Sequence, residues 1–232
     1  MHREQGWLEI EGFVPINVRE TDRTGYRLVR YLEAVAVTPT SGKDHEALVV
    51  TRVRPSTIHA ALLALGLTPG RPGSIAWDGQ AARREPAEGP AVRVLLRAAD
   101  QPPPGRPIEW FIVGDDQATA FDAQALGDRP RWVFAGSLVE DGRYAADALG
   151  LVVGLHTFGG EVVALRQPIS PDSFIDRPQW IAHPQRTPPF GTSVIVRIES
   201  ASERPEPAPE PADQATPDAG QRPSEGSRPG GG

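Results

Sequence analysis

The sequence predicts an α+β domain, mainly antiparallel β in a meander or sandwich-like sheet, with one short docked helix at about 56–65. Three observations carry this expectation. Several segments alternate apolar and polar residues with a period of two. Two-residue Gly-containing turn signals join such segments. One segment alone carries a clear helical stripe of apolar residues.

In chain order, residues 28–37 form the first candidate strand. Val49, Thr51 and Val53 alternate with Val50 and Arg52, the pattern of a half-buried strand. The helix follows. Pro55 suits its first turn, Ser56 or Thr57 can cap it, and Ile58, Ala61, Leu62 and Leu65 lie on one face. Gly66 can end it in the left-handed conformation. Asp78-Gly79 signals a hairpin. Val92, Val94 and Leu96 alternate with Arg93, Leu95 and Arg97, and residues 108–113 suggest another strand. A second helical piece is expected at 117–126. Asp141-Gly142 and Gly159-Gly160 imply a meander of strands near 131–139, 143–157 and 161–166. Residues 151–158 are apolar on both faces except at His156, as in a covered central strand. Val194, Val196 and Ile198 close the series. Pro- and Gly-rich loops are expected at 69–73, 85–90 and 101–107.

Composition sets the boundary of the domain. The chain has 232 residues, 39% of them hydrophobic, with 25 Pro and 24 Gly. Residues 201–232 contain no Val, Ile, Leu, Met, Phe, Trp or Tyr. Such a segment buries too little surface to offset the entropy of ordering it. Residues 1–200 are therefore read as one domain, and 201–232 as a disordered, acidic tail. Alternating Pro at Pro205, Pro207, Pro209 and Pro211 favours polyproline II, so the tail can serve as a spacer or a docking arm.

Charge and residue usage exclude several function classes. There is no Cys, which removes disulfides, iron–sulfur clusters and cysteine nucleophiles. Net charge is −6, so nothing draws nucleic acid at long range. No apolar run is long enough for a transmembrane segment. Residues 1–6 lack the apolar core of a signal peptide. Lys43 is the only Lys among 24 basic residues, and this preference for Arg, with its GC-rich codons, reads as a GC-rich genome.

The histidines are the first candidates for metal and acid–base chemistry. Asp44, His45 and Glu46 precede a strand, His59 lies on the helix, and His156 on the central strand. His45, Glu46, His59 and His156 are nitrogen and oxygen donors that suit a divalent metal. No metal-ligand spacing such as His-Glu-x-x-His joins them. If 44–46 is extended, Glu46 shares a face with Asp44 rather than with His45. His59 and His156 then read as core histidines, and no cofactor is expected. A hydrolytic triad of Ser137, His156 and Asp147 is conceivable, but the Gly-x-Ser-x-Gly elbow is missing and Ser137 is expected inside a strand. Asp115-Asp116 read as solvated loop acids. Residues 66–73 are Gly-rich but follow a helix, unlike a phosphate loop. The five Trp are scattered and read mainly as packing.

Several blocks resemble a known family. They are Glu11-Gly12-Phe13-Val14-Pro15-Ile16-Asn17-Val18, His45-Glu46-Ala47-Leu48-Val49-Val50, Arg54-Pro55-Ser56-Thr57-Ile58-His59-Ala60-Ala61-Leu62 and Trp132-Val133-Phe134-Ala135-Gly136-Ser137. Val152-Val153-Gly154-Leu155, Ile169-Ser170-Pro171-Asp172, Trp180-Ile181-Ala182 and Pro188-Pro189-Phe190-Gly191-Thr192 complete the set. In this order they resemble the YdjY-like domain family, bacterial proteins of unassigned activity, over about residues 7–199. The resemblance implies one domain and brings no reaction, cofactor or catalytic residue. Members are often exported envelope proteins. It thus implies a periplasmic or envelope-associated protein if a signal precedes Met1, and a cytoplasmic one if Met1 is the true start. The expected function is a non-enzymatic binding or interaction domain of the cell envelope, its partner an unknown protein or small ligand. The alternative is a metal-binding or hydrolytic enzyme using His45, Glu46, His59 and His156.

Overall fold

A computed structural model describes residues 1–121 and 132–201. The remainder of the 117–126 helix expectation beyond Phe121, and the expected disordered tail beyond Ala201, lie outside the described residues. Within them the fold is mostly β, as expected. The strands are β1 (Trp7–Phe13), β2 (Ala34–Val37), β3 (Ala47–Val50), β4 (Ser74–Trp77), β5 (Ala82–Glu85), β6 (Ala91–Ala98) and β7 (Arg106–Pro107). They continue as β8 (Ile112–Gly114), β9 (Trp132–Phe134), β10 (Val139–Glu140), β11 (Arg143–Tyr144), β12 (Leu151–Gly154), β13 (Val163–Leu165), β14 (Trp180–Ala182) and β15 (Ser193–Ser200). Two α-helices are described, α1 (Pro55–Ala64) and α2 (Ala145–Leu149).

The main sheet is not a meander or a sandwich. Its strands follow the order β15-β1-β3-β2-β12-β13-β9-β6, and β6 pairs back onto β15, so eight strands close a barrel. The alternating segments build its longest walls. Ile10 faces Val196, which faces Leu96; Leu8 faces Ile198, which faces Val94. All six are buried in one core cluster. Each such side chain contributes about 1.5–3 kcal/mol when buried. The intervening residues carry charge. Glu9 accepts from the Arg197 guanidinium at 3.0 and 3.1 Å, and Arg197 lies 3.8 Å above the Trp7 ring.

The expected turn at Gly159-Gly160 does not make a hairpin. β12 and β13 run parallel, with Val153 opposite Val163. β2 and β3 are also parallel, with Ala36 opposite Val49. Sequence patterning distinguishes apolar strands from polar ones but not the direction in which buried neighbours run. Segment 155–162 returns along the sheet instead. The Glu33 carbonyl holds it by accepting from the Leu155 and His156 N–H groups at 3.1 and 2.8 Å, and Ile169 O accepts from Thr157 N at 2.8 Å.

Other elements shift. The strand expected over 28–37 is confined to β2, and 108–113 begins as a 3-10 turn before β8. The strand expected over 143–157 divides into β11, α2 and β12. Asp78-Gly79 does lie between paired strands, β4 and β5, in a loop of four residues. Residues Gln117–Phe121 are turn rather than helix, and the Asp116 carboxylate accepts from the Ala118 and Thr119 N–H groups.

α1 appears where the apolar stripe puts it and ends at Gly66, with φ +86°. Its cap differs from the expectation. Arg54 occupies the N-cap position without a side-chain bond. Asp147 of α2 supplies the missing acceptor: Oδ1 takes the Ser56 N–H at 2.8 Å and Oδ2 the Ser56 hydroxyl at 2.6 Å. Replacing Asp147 with Ala should cost about 1–2 kcal/mol in urea unfolding, the usual worth of a cap with a second hydrogen bond. An unchanged midpoint would show that Asp147 does not cap α1.

Candidate functional site

The side chains singled out in the sequence fall into separate surroundings. His45 lies in a 3-10 turn, Asp44–Glu46, not in an extended segment. The alternation expected there therefore does not apply. The His45 ring is 66% exposed and stays 3.8 Å from Asp44 and 3.9 Å from Glu46. Glu46 instead joins Lys43, whose ammonium also bonds Glu33 and lies 5.1 Å from the Phe158 ring centre. Burial opposes the Lys43 charge, but the two carboxylates outweigh it and raise its pKa.

His59 projects from α1 onto a different wall. Its Nδ1 is 2.8 Å from the Tyr144 hydroxyl, and that hydroxyl donates to Gly136 O at 3.0 Å. The tyrosine proton is thus committed, so His59 Nδ1 carries the hydrogen and donates. The ring meets Phe134 and Tyr144 edge-on, at 5.1 and 5.4 Å between centroids. Burial lowers the His59 pKa, opposed by the Gly136 backbone, and burial raises that of Tyr144 with Asp147 adding to it. These are the marks of a neutral packing histidine.

His156 is 6% exposed and its Nδ1 finds no partner among the described residues. Desolvation pushes its pKa down to about 4, although the Asp176 and Glu46 carboxylates pull the other way. Asp176 itself is held by both terminal nitrogens of Arg84, at 2.6 and 2.7 Å.

The structure therefore does not gather His45, Glu46, His59 and His156 on one centre: Glu46 lies beside His45 and its charge reaches His156, while His59 is bonded to Tyr144. Among the described residues no group of three or more His, Asp or Glu could hold a metal ion. The Ser137, His156, Asp147 arrangement is also not assembled. Ser137 is no strand residue; it sits at φ +61°, where its hydroxyl donates to Gly160 O at 2.8 Å and accepts the Ala146 N–H at 3.0 Å. Asp147 is spent on Ser56.

What the sequence reading missed is a cleft of about 500 Å³ between the turn after β2 and the start of α1. Thr38, Pro39 and Thr40 line one side, and Arg52, Arg54 and Pro55 the other, with Asp147 between. Its volume lies in the range of small-molecule sites. Both walls are fixed by hydrogen bonds. Thr38 N donates to Gly150 O at 2.8 Å, and Ser41 N to Thr38 O at 3.0 Å. Opposite, Thr51 donates its N–H to Val37 O and its hydroxyl to Glu11 O, while its Oγ1 accepts Val53 N–H. The one available signal was Arg52-x-Arg54, whose spacing puts both side chains on one face of an extended segment. A smaller cleft of about 320 Å³ is lined by Pro15, Ile16, Asn17, His45 and Phe190, among others.

The model of one domain family, described as the YdjY domain, matches residues 13–199. No curated protein and no solved structure matches the chain.

Proposed function

The chain belongs to the YdjY domain family, and from that premise we propose that it is a non-enzymatic binding domain whose ligand or partner enters the cleft between the 38–40 turn and α1. One observation carries this reading. The catalytic-type residues are not gathered on one centre, and His59, Ser137 and Asp147 are spent on hydrogen bonds that hold the fold. The cleft, in contrast, has rigid walls and polar side chains left over. A pre-ordered concave surface loses little entropy on binding.

The hydrolytic or metal-dependent alternative rests on His45, Glu46, His59 and His156, and no contact joins His59 or His45 to His156. Action at the cell envelope is part of the proposal. It is supported by the resemblance to a family whose members are often exported. Among the described residues no helix is long and apolar enough to cross a membrane.

The test is a fragment screen on the full chain followed by amide chemical shifts. Saturable shifts should concentrate at residues 38–41 and 52–57. Ester hydrolysis that disappears in both His59→Ala and His156→Ala would replace this reading with the enzymatic one. Fractionation of the native host should place the protein in the envelope, and a purely cytosolic signal would remove that part.

A further inference from the structure

We propose that the cleft takes a small organic anion, a carboxylate or phosphate monoester, held by the Arg52 and Arg54 guanidiniums. This rests on the binding reading above and names its ligand class. Both arginines line the cleft, and neither side chain has an ion pair or hydrogen bond among the described residues. Arg71, Arg84 and Arg197 are each held by carboxylates.

The walls make the two guanidiniums a prepared receptor. Thr51 is bonded on three sides, so the segment bearing both arginines is fixed at its base. Their forked N–H groups match two oxygens of a carboxylate or phosphate. Thr38 and Thr40 line the opposite side, and Pro39 and Pro55 add apolar surface for the carbon part of a ligand.

One negative charge is present. Asp147 also lines the cleft, but both its oxygens already accept from Ser56 at the first turn of α1. The helix terminus is therefore occupied from within and is not the anion site. Two cations against one carboxylate leave the lining with a net charge of about +1, which suits a ligand of low charge.

The test uses the full chain and four probes: propionate, phenyl phosphate, inorganic phosphate and the uncharged isostere propionamide. Amide shifts at residues 38–41 and 52–57 are followed in wild type and in Arg52→Gln/Arg54→Gln. At least one organic anion should bind saturably, and at least about tenfold more tightly than propionamide, given the strength of charge-assisted bonds. In the double variant that binding should fall by at least about tenfold, with shifts elsewhere unchanged. Binding by inorganic phosphate alone would overturn the organic-ligand claim and leave a bare oxyanion site. Equal binding of propionamide and propionate would overturn the anion assignment while leaving the cleft standing. No perturbation by any probe would remove the cleft as a binding site too. Anion binding that survives in the double variant would take the two arginines out of the site.

Discussion

Gly89→Ala is expected to destabilise the domain by about 3 kcal/mol, the sum of backbone strain and an overpacked contact. Gly89 has φ +146°, a conformation that side-chain-bearing residues rarely adopt. A Cβ there would stand 2.8 Å from the Phe134 carbonyl carbon and closer still to its oxygen. That oxygen is not free to move. It accepts from Gly70 N at 3.0 Å, and Phe134 N donates to Pro90 O at 3.0 Å. Arg71 and Glu88 exchange two further backbone bonds beside it, at 2.9 and 3.1 Å. Three backbones meet at this point, so an added methyl group has no flexible side chain to displace. For a domain of this size the melting temperature should drop by roughly 10 °C. Gly25→Ala is the matched control. It also has positive φ, +87°, but no atom within 4 Å, so about 1 kcal/mol is expected from conformation alone. Equal losses in the two variants would show that the crossing at Phe134 is not tight.

The second large effect is acid destabilisation through His156. In the unfolded chain its pKa is near 6.5, and burial pushes it down to about 4 in the fold. As pH falls from 6.5 to 4 the unfolded state takes up this proton first, so folding loses stability across that window. Above pH 6.5 the contribution is fully present. The loss amounts to about 3 kcal/mol for this one group. Glu161 acts with the opposite sign. It is fully buried, and burial raises its pKa against the backbone N–H groups of residues 158–161. Its contribution is therefore present in acid and declines as pH rises through that raised pKa. Urea unfolding of wild type and His156→Gln between pH 7 and pH 4 separates the two. The wild type should lose about 3 kcal/mol more than the variant over this range. Parallel curves would mean that His156 titrates normally in the fold.

Much of the barrel was legible in particular residues. Val92, Val94 and Leu96, and Val194, Val196 and Ile198, announce their strands because one face meets the core and the other meets solvent. The helix at Ile58 to Leu65 is equally plain, as is its end at Gly66. Closure of the barrel was not legible. It depends on β15 lying between β1 and β6, and the pairing with β1 joins residues as far apart as Trp7 and Glu199, which no local pattern encodes. The parallel pairs were hidden for a related reason: Val152 and Val153, or Val49 and Val50, are buried whichever way their neighbours run. α2 is short enough to look like the middle of an apolar strand.

Little of the site was legible. Sequence spacing does not say where His45, His59 and His156 lie in the fold. His45 is in a turn, and His59 is fixed by Tyr144, a residue 85 positions away. The cleft stayed invisible because its two walls come from the turn after β2 and the entry to α1, and α2 holds them at their observed separation. The chain has two arginine pairs at i, i+2, at 52/54 and 129/131. Spacing alone does not show that the first of them lines a cleft.

The position of β15 also bears on when the barrel can close. It is the last described strand, yet it bridges β1, the first, and β6 by seven residue pairs on each side. Until Ser193–Ser200 have been synthesised, β1 and β6 each present an unpaired edge able to join another chain. Closing the ring requires the two ends of the domain to find each other, an entropically costly search that slows folding. A chain that stops short of β15 thus keeps both edges open, and in the finished ring that one strand covers them both.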